Sequence, residues 1–164
     1  METVLRLVTS WPGAATLQNP HPLIVHYPIA LLTTSTAVYL AAAIARRERW
    51  GWLALWLLVF GALGATASVW TGLRAGESVM VAPSVRENIL EHHEHLMIVA
   101  WLLSLLSLAW GIVGRPLPKR GGVGFIALLV LMSAVLARGA ALGGWMVYGY
   151  NAGGSLPQPI EFSR

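Results

Sequence analysis

Five histidines are the residues of this chain best suited to chemistry, and they form two groups along the sequence. One group is His21 and His26, and the other is His92, His93 and His95. Each group lies at the start of a long apolar stretch. The chain has no cysteine, which excludes disulfides, thiolate metal sites, iron–sulfur ligation and covalent c-type haem attachment. Histidine is therefore the only strong nitrogen ligand left, and the question is which imidazoles share a site.

The composition indicates an integral membrane protein. Of the 164 residues 56% are hydrophobic and only 11% are charged, and the mean hydropathy is +0.64, which is far too apolar for an ordinary soluble domain. The net charge is +4, but the basic residues cluster between apolar runs instead of covering one soluble face. They therefore predict membrane orientation and not nucleic-acid binding.

Four apolar segments are long enough to cross a hydrocarbon core, which takes about 20 helical residues. The short connections within the first pair and within the second pair predict antiparallel neighbours. The predicted fold is thus all-α, an integral membrane four-helix bundle without an internal repeat. Its predicted parts are an external N-terminal segment 1–20, a membrane domain 21–153 with helices at about 22–45, 51–73, 88–113 and 122–148, and an external C-terminal tail 154–164.

The loop charges predict how the bundle is oriented. Two connections carry most of the arginine and lysine, and by the positive-inside rule they face the cytoplasm. These basic residues are Arg46, Arg47 and Arg49 in the first loop and Arg115, Lys119 and Arg120 in the third. Both termini and the 74–91 connection are then expected on the outer, periplasmic side of a bacterial cytoplasmic (inner) membrane. All five histidines fall at this outer end.

The starts of two helices carry specific signals. Pro28 lacks the N–H that would bond the carbonyl of Ile24, so a kink beside His26 is expected. Ser84 followed by Glu87 predicts an N-cap serine with a capping-box glutamate at the start of the third helix.

Stripes of small residues indicate which histidines face the bundle interior, because membrane helices pack through such residues. The stripe that begins at His26 continues through Ala30, Thr33, Ala37 and Ala41. The stripe that begins at His93 continues through Met97, Ala100, Ser104, Ser107 and Gly111. The stripes from His92 and His95 are rich in leucine and valine. His26 and His93 are therefore predicted to point inward, and His92 and His95 toward lipid.

Two inward imidazoles at one level predict axial ligation of a b-type haem by His26 and His93. The alternative is that both only hydrogen-bond to backbone or water. Arg138, deep inside the fourth helix, and Arg74, near the end of the second, are candidate partners of the haem propionates. Snorkelling of Arg138 and interfacial anchoring of Arg74 are the alternatives.

A second candidate site is an outer copper or zinc cluster of His95, His92 and His21, with Glu91 or Glu94 supplying a carboxylate. The alternative for this cluster is a solvated helix end. The order His92-His93-Glu94-His95 differs from the zinc-protease motif, which needs histidines four apart around a glutamate. No nucleophile–base pair or phosphate-binding loop is evident, so an enzyme that acts alone is not expected.

Several motifs together resemble the bacterial membrane family catalogued as domain of unknown function 2231. They are His21-Pro22-Leu23-Ile24-Val25-His26-Tyr27-Pro28-Ile29-Ala30, Thr71-Gly72 with Ala75-Gly76-Glu77, His93-Glu94-His95-Leu96, and Gly143-Gly144-Trp145-Met146-Val147-Tyr148. The resemblance implies a four-helix membrane protein whose relatives can be joined to cytochrome c or Rieske iron–sulfur modules. By position, the family histidines fall on His26 and His93. Tyr150 stands where many relatives have a further histidine.

The leading hypothesis is a membrane electron-transfer subunit, b-type cytochrome-like, with haem b near the outer side of the bundle. Its expected surroundings are the lipid bilayer and redox proteins of the cytochrome c or Rieske type, with no nucleic acid. One alternative is a structural or anchoring subunit of a larger respiratory or photosynthetic complex. The other is an outer-face copper- or zinc-binding membrane protein.

Overall fold

The computed structural model describes residues 20–118 and 121–152, and four long helices account for most of them. Each is long and apolar enough to cross a membrane. The four are α1 (His21–Ala45), α2 (Glu48–Ser78), α3 (Pro83–Gly114) and α4 (Gly122–Tyr150). The prediction of an all-α, integral membrane four-helix bundle is confirmed. Which side the termini face stays a prediction. The N-terminal segment up to residue 19, the tail 154–164, Lys119 and Arg120 lie outside the described residues.

Two helices are longer than their apolar segments predict. Helix α2 has 31 residues, which is about 46 Å at helical rise and exceeds a hydrocarbon core of about 30 Å. Helix α3 begins at Pro83, five residues before the predicted start at 88. The added turns remain helical because other helices pack against them: Ala75 and Gly76 of α2 and Ile89 of α3 are buried.

The helices form a closed ring, in which each packs against its neighbours in sequence and α4 packs against α1. The ends of the bundle differ in composition, and the end that carries all five histidines is called the histidine end below. The core away from that end includes the rings of Tyr39 and Phe125, which meet edge to face with centroids 4.9 Å apart. Interhelical polar contacts join this core, since Ser35 Oγ donates to the Ala54 carbonyl at 2.8 Å.

Helix α1 is interrupted near its start. A short piece, His21–Ile24, is followed by a turn at Val25 and by the main piece, His26–Ala45. The Nδ1–H of His26 donates to the Pro22 carbonyl at 2.8 Å, so this ring is bonded to its own helix.

The predicted capping box of α3 is wrong. The helix starts with Pro83 directly after Ala82, and no side chain caps it. The first turns are held by Arg86, whose guanidinium donates to the carbonyls of Gly76 at 3.2 Å and Val79 at 3.0 Å. Carbonyls at a helix C-terminus lack intrahelical partners, so Arg86 satisfies the end of α2 while it fixes the start of α3. The residues Arg86–Leu90 are π-helical.

The buried faces of the helices repeat along the chain, although the residue types do not. Each buried residue of α3 from Ala100 to Gly111 lies 72 positions after a buried residue of α1. These pairs are Pro28 with Ala100, Leu32 with Ser104, Ser35 with Ser107, and Tyr39 with Gly111. Every buried residue of α4, from Phe125 to Met146, lies 71 positions after a buried residue of α2, from Ala54 to Ala75. The positions of these buried residues therefore repeat, whereas the absence of an internal sequence repeat stays a prediction.

Arg86→Ala is expected to lower the free energy of unfolding by about 1–3 kcal/mol, because two carbonyls lose a charged donor. The measurement is thermal or denaturant unfolding of the protein in detergent. Glu87→Ala is the matched control, since Glu87 is an exposed charge in the same turn. Equal stability of the Arg86 variant and the parent would show that this contact does not hold the α2–α3 connection.

Candidate functional site

His21 is half-buried at the histidine end and is bonded to α2. Its Nδ1 lies 3.2 Å from Thr71 Oγ1. The Thr71 hydroxyl donates its own proton to the Ala67 carbonyl at 2.9 Å, so it accepts from His21. The proton of the neutral ring is therefore on Nδ1, and Nε2 is the nitrogen with the lone pair.

The His21 ring lies flat against the backbone of α2 at Gly72. A Cβ at Gly72 would come within 2.8 Å of the ring atom Cε1, closer than real contacts allow. Helix α2 thus provides a seat for this imidazole that only a glycine at position 72 leaves open.

His93 has an equivalent seat on α4. Its Nδ1–H donates to the Gly139 carbonyl at 2.8 Å. A Cβ at Gly143 would lie 3.1 Å from Cε1 of the His93 ring. The ring is half-buried, and Nε2 again carries the lone pair. The prediction that His93 faces inward is confirmed, because its stripe contains the buried residues Ala100 and Ser104.

The two seated imidazoles lie at the same end of the bundle, near enough for their charges to interact. Histidines that bind metals almost always donate the other ring N–H to a carbonyl or similar acceptor, which fixes the tautomer and the ring orientation. Both rings have this arrangement. A metal bound by these two rings would be bound through Nε2, from α1 and from α3.

The prediction that His26 faces inward is wrong, because His26 is exposed. Its stripe continues through Ala30 and Ala37, which are exposed as well. Helix α1 instead buries a face of mostly larger residues, which includes Leu32, Ser35 and Tyr39. This is possible because the small residues at the α1–α2 contact lie on α2, where a Cβ at Gly61 would come within 2.7 Å of Leu32.

The second candidate cluster is not assembled. His92 and His95 are exposed, whereas His21 sits on Gly72. In the described ranges 20–118 and 121–152, no group of three His, Cys, Asp or Glu side chains could hold a metal ion. Glu94 is half-buried and its carboxylate lies against Gly76.

A pocket of about 320 Å³ opens beside the histidine pair, between the end of α2 and the start of α3. Its lining is mixed in polarity and consists of Leu73, Gly76, Glu77, Arg86 and Glu94. Sequence reasoning assigned Glu94 to the outer metal cluster. The structure places its carboxylate at this pocket.

The two candidate propionate partners are exposed. The Arg74 guanidinium lies over the Trp70 ring at 4.0 Å from its centroid, a cation–π contact. Arg138 precedes buried Gly139 on α4 and points away from the core. Tyr150 packs against Trp145 with ring centroids 5.8 Å apart.

Sequence reasoning missed the groups that orient the rings. They are the Thr71 hydroxyl, the Gly139 carbonyl and the glycine faces at positions 72 and 143. It also ranked His21 below His26. A signal for His21 was present: extending the buried face of α1 backward from Leu32 and Pro28 by helical spacing reaches position 21.

The helices and the seated histidines define an integral membrane four-helix bundle protein with a histidine pair at one end. A family model described as "Predicted membrane protein (DUF2231)" matches residues 18–155. The chain belongs to this family, as its motifs indicate. No curated protein and no solved structure matches the chain.

Nitrogen-15 NMR of histidine-labelled protein at about pH 8, above the ordinary histidine pKa of about 6.5, is expected to show Nδ1–H tautomers for His21 and His93. The physical reason is that each Nδ1 faces an acceptor. Signals are assigned by substituting one histidine at a time. Exposed His92 and His95 serve as internal controls without such an acceptor, and an Nε2–H tautomer at His21 or His93 would contradict the described bonds.

Proposed function

We propose that this chain is a membrane electron-transfer subunit of the b-type cytochrome kind, with one haem b bound at the histidine end by His21 and His93. The observation that supports it best is the pair of imidazoles on α1 and α3, which are fixed through Nδ1 and interact with one another. The membrane is the bacterial inner membrane, and the histidine end is periplasmic. This orientation follows from the positive-inside rule applied to the arginine-rich loops.

The residues present fit such a group in their chemistry. Sites inside helix bundles are built from side chains on facing helices, and two neutral imidazoles suit haem iron. The lack of cysteine leaves non-covalent attachment, which is the b-type. When bound, the haem supplies one-electron oxidation and reduction.

The residues of this chain have separate parts in the proposal. His21 and His93 bind through Nε2, while Thr71 and the Gly139 carbonyl orient them. A hydrogen bond from Nδ1–H to an acceptor raises the basicity of the ligating nitrogen, so the carbonyl behind His93 and the hydroxyl behind His21 also tune the site. Met97 lies against Gly139 one turn further into the membrane and excludes water from that side.

His93, the ligand predicted on α3, is kept, and His26, the ligand predicted on α1, is replaced. His21 takes the place of His26 because His21 has the seat on α2, whereas His26 is exposed. Arg74 and Arg138 stay candidate partners of the propionates, each on the exposed surface of its helix. The expected partners are periplasmic redox proteins of the cytochrome c or Rieske type.

A structural or anchoring subunit is the second candidate, and one observation favours it. Each histidine bonds within its own helical hairpin, His21 to α2 and His93 to α4. Such bonds could serve only to hold neighbouring helices together in a larger complex. In that case the two rings would need no shared ligand.

Absorption spectroscopy separates the two candidates. Protein purified from haem-replete cells is expected to show a Soret band and, when reduced, split α/β absorption. His21→Ala and His93→Ala should lose the haem, because each removes an axial ligand. His26→Ala and His92→Ala are matched controls, since both remove exposed imidazoles at the same end of the bundle.

A colourless, iron-free parent protein would overturn the haem proposal in favour of the structural role. Loss of haem in His26→Ala with retention in His21→Ala would instead identify His26 as the ligand on α1. Stoichiometric copper or zinc in a colourless preparation would indicate the metal-binding alternative.

A further inference from the structure

We infer that His21 and His93 are equivalent halves of one two-fold site, in which each helical hairpin supplies one seated imidazole. The ligand then lies on an internal two-fold axis of the chain and is bound from opposite sides. The ligand belongs to the class of flat metal macrocycles, and its metal would accept one imidazole nitrogen on each face. This inference rests on the proposed function for the identity of the ligand, and it rests on the fold for the symmetry.

The repeat of buried positions extends to the site. His93 lies 72 positions after His21, the offset that relates the buried faces of α1 and α3. Gly143 lies 71 positions after Gly72, the offset that relates α2 and α4. Helical periodicity alone would let any two helices be aligned at some offset. Helical periodicity would not make the α1–α3 offset nearly equal to the α2–α4 offset. It would also not place His21 of the first hairpin at the position that corresponds to His93 of the second.

The contacts of the two rings are equivalent as well. In each hairpin the imidazole lies on a glycine of the second helix, Gly72 or Gly143. In each hairpin Nδ1 of the ring also bonds to the second helix within one turn before that glycine, at Thr71 Oγ1 or at the Gly139 carbonyl. The side chains around these seats differ. The repeated element is therefore the backbone seat and not a sequence motif.

The arrangement of the helices converts this repeat into a two-fold axis. The ring order of α1, α2, α3 and α4 places the two hairpins on opposite sides of the bundle axis. A half-turn about that axis exchanges α1 with α3 and α2 with α4. The two imidazoles then face each other across the axis, in agreement with their electrostatic interaction.

The residues that follow the two histidines do not obey the two-fold symmetry. Glu94 follows His93, whereas Pro22 follows His21. The carboxylate of Glu94 lies against Gly76 and lines the pocket between α2 and α3. The axis therefore relates the two ring seats and not the access to them.

The test is haem b binding by the full chain in detergent with paired glycine variants. Gly72→Ala and Gly143→Ala each place a methyl group against a histidine ring, at 2.8 Å and 3.1 Å from Cε1. Loss of the contacts that orient a metal-binding side chain costs about 10–100-fold in metal affinity. The haem affinity of each variant is expected to be lower than that of the parent by a factor in this range. Gly144→Ala is the matched control, because nothing lies within 4 Å of its added Cβ, and it should bind like the parent.

A large loss in one glycine variant and parent-like binding in the other would overturn the two-fold site in favour of one-sided ligation. A second readout needs no haem and so separates this inference from the proposed function. In nitrogen-15 histidine spectra of the haem-free protein, His21→Ala should shift the His93 ring signals and His93→Ala should shift those of His21, whereas His26→Ala should shift neither. Rings that do not respond to each other would overturn the inference even if haem is bound.

Discussion

Close approach of helices within lipid is the constraint on which the rest of the structure depends. Lipid chains are as apolar as leucine, so helices associate through tight packing and interhelical hydrogen bonds. In this bundle the glycines of α2 and α4 provide the space, and side chains of α1 and α3 enter it. These contacts pair Gly61 with Leu32, Gly64 with Tyr27, Gly72 with His21, Gly139 with Met97, and Gly143 with His93. At these five contacts the small residue lies on α2 or α4, and the larger side chain lies on α1 or α3.

The same packing makes the histidine pair a preorganised site. An imidazole pressed against a glycine and bonded through Nδ1 has lost most of its rotamer freedom when the chain folds, so little remains to be ordered when a ligand binds. For His93 the acceptor is a carbonyl, which also fixes the proton of the neutral ring on Nδ1. The same contacts therefore pack the helices and hold the histidine rings. A methyl group added at Gly72 or Gly143 would disturb both the packing and the ring positions.

The histidine end is closed by contacts that lie beyond the membrane-length part of the helices. A second apolar cluster joins the first turns of α3 to the last turns of α4, and it consists of Val85, Ile89, Leu90, Leu142 and Met146. Arg86 bonds the same turns of α3 to the end of α2. Together these contacts hold α3 at both sides, and they set the position from which His93 meets Gly139 and Gly143.

The fold could be predicted from the sequence because its cause is local. Four apolar segments of membrane-spanning length must be helical to satisfy their backbone groups in lipid, and the short connections make neighbours antiparallel. The inward direction of His93 could also be predicted, since α3 carries its own small-residue stripe through Ser104 and Ser107. The helix ends were less predictable, because Arg86 and not the local Ser84–Glu87 pattern holds the start of α3.

The sequence by itself determined the class of protein, the four helices and the grouping of all histidines at one end. Only the tertiary structure decided that His21, and not His26, has its ring seated on a neighbouring helix. The physical reason is that close packing needs a small residue on one side of a helix contact, and the pattern of one helix cannot show on which side it lies. For α1 it lies on α2, so Ala30 and Ala37 remain exposed and the ring of His21 enters the bundle over Gly72.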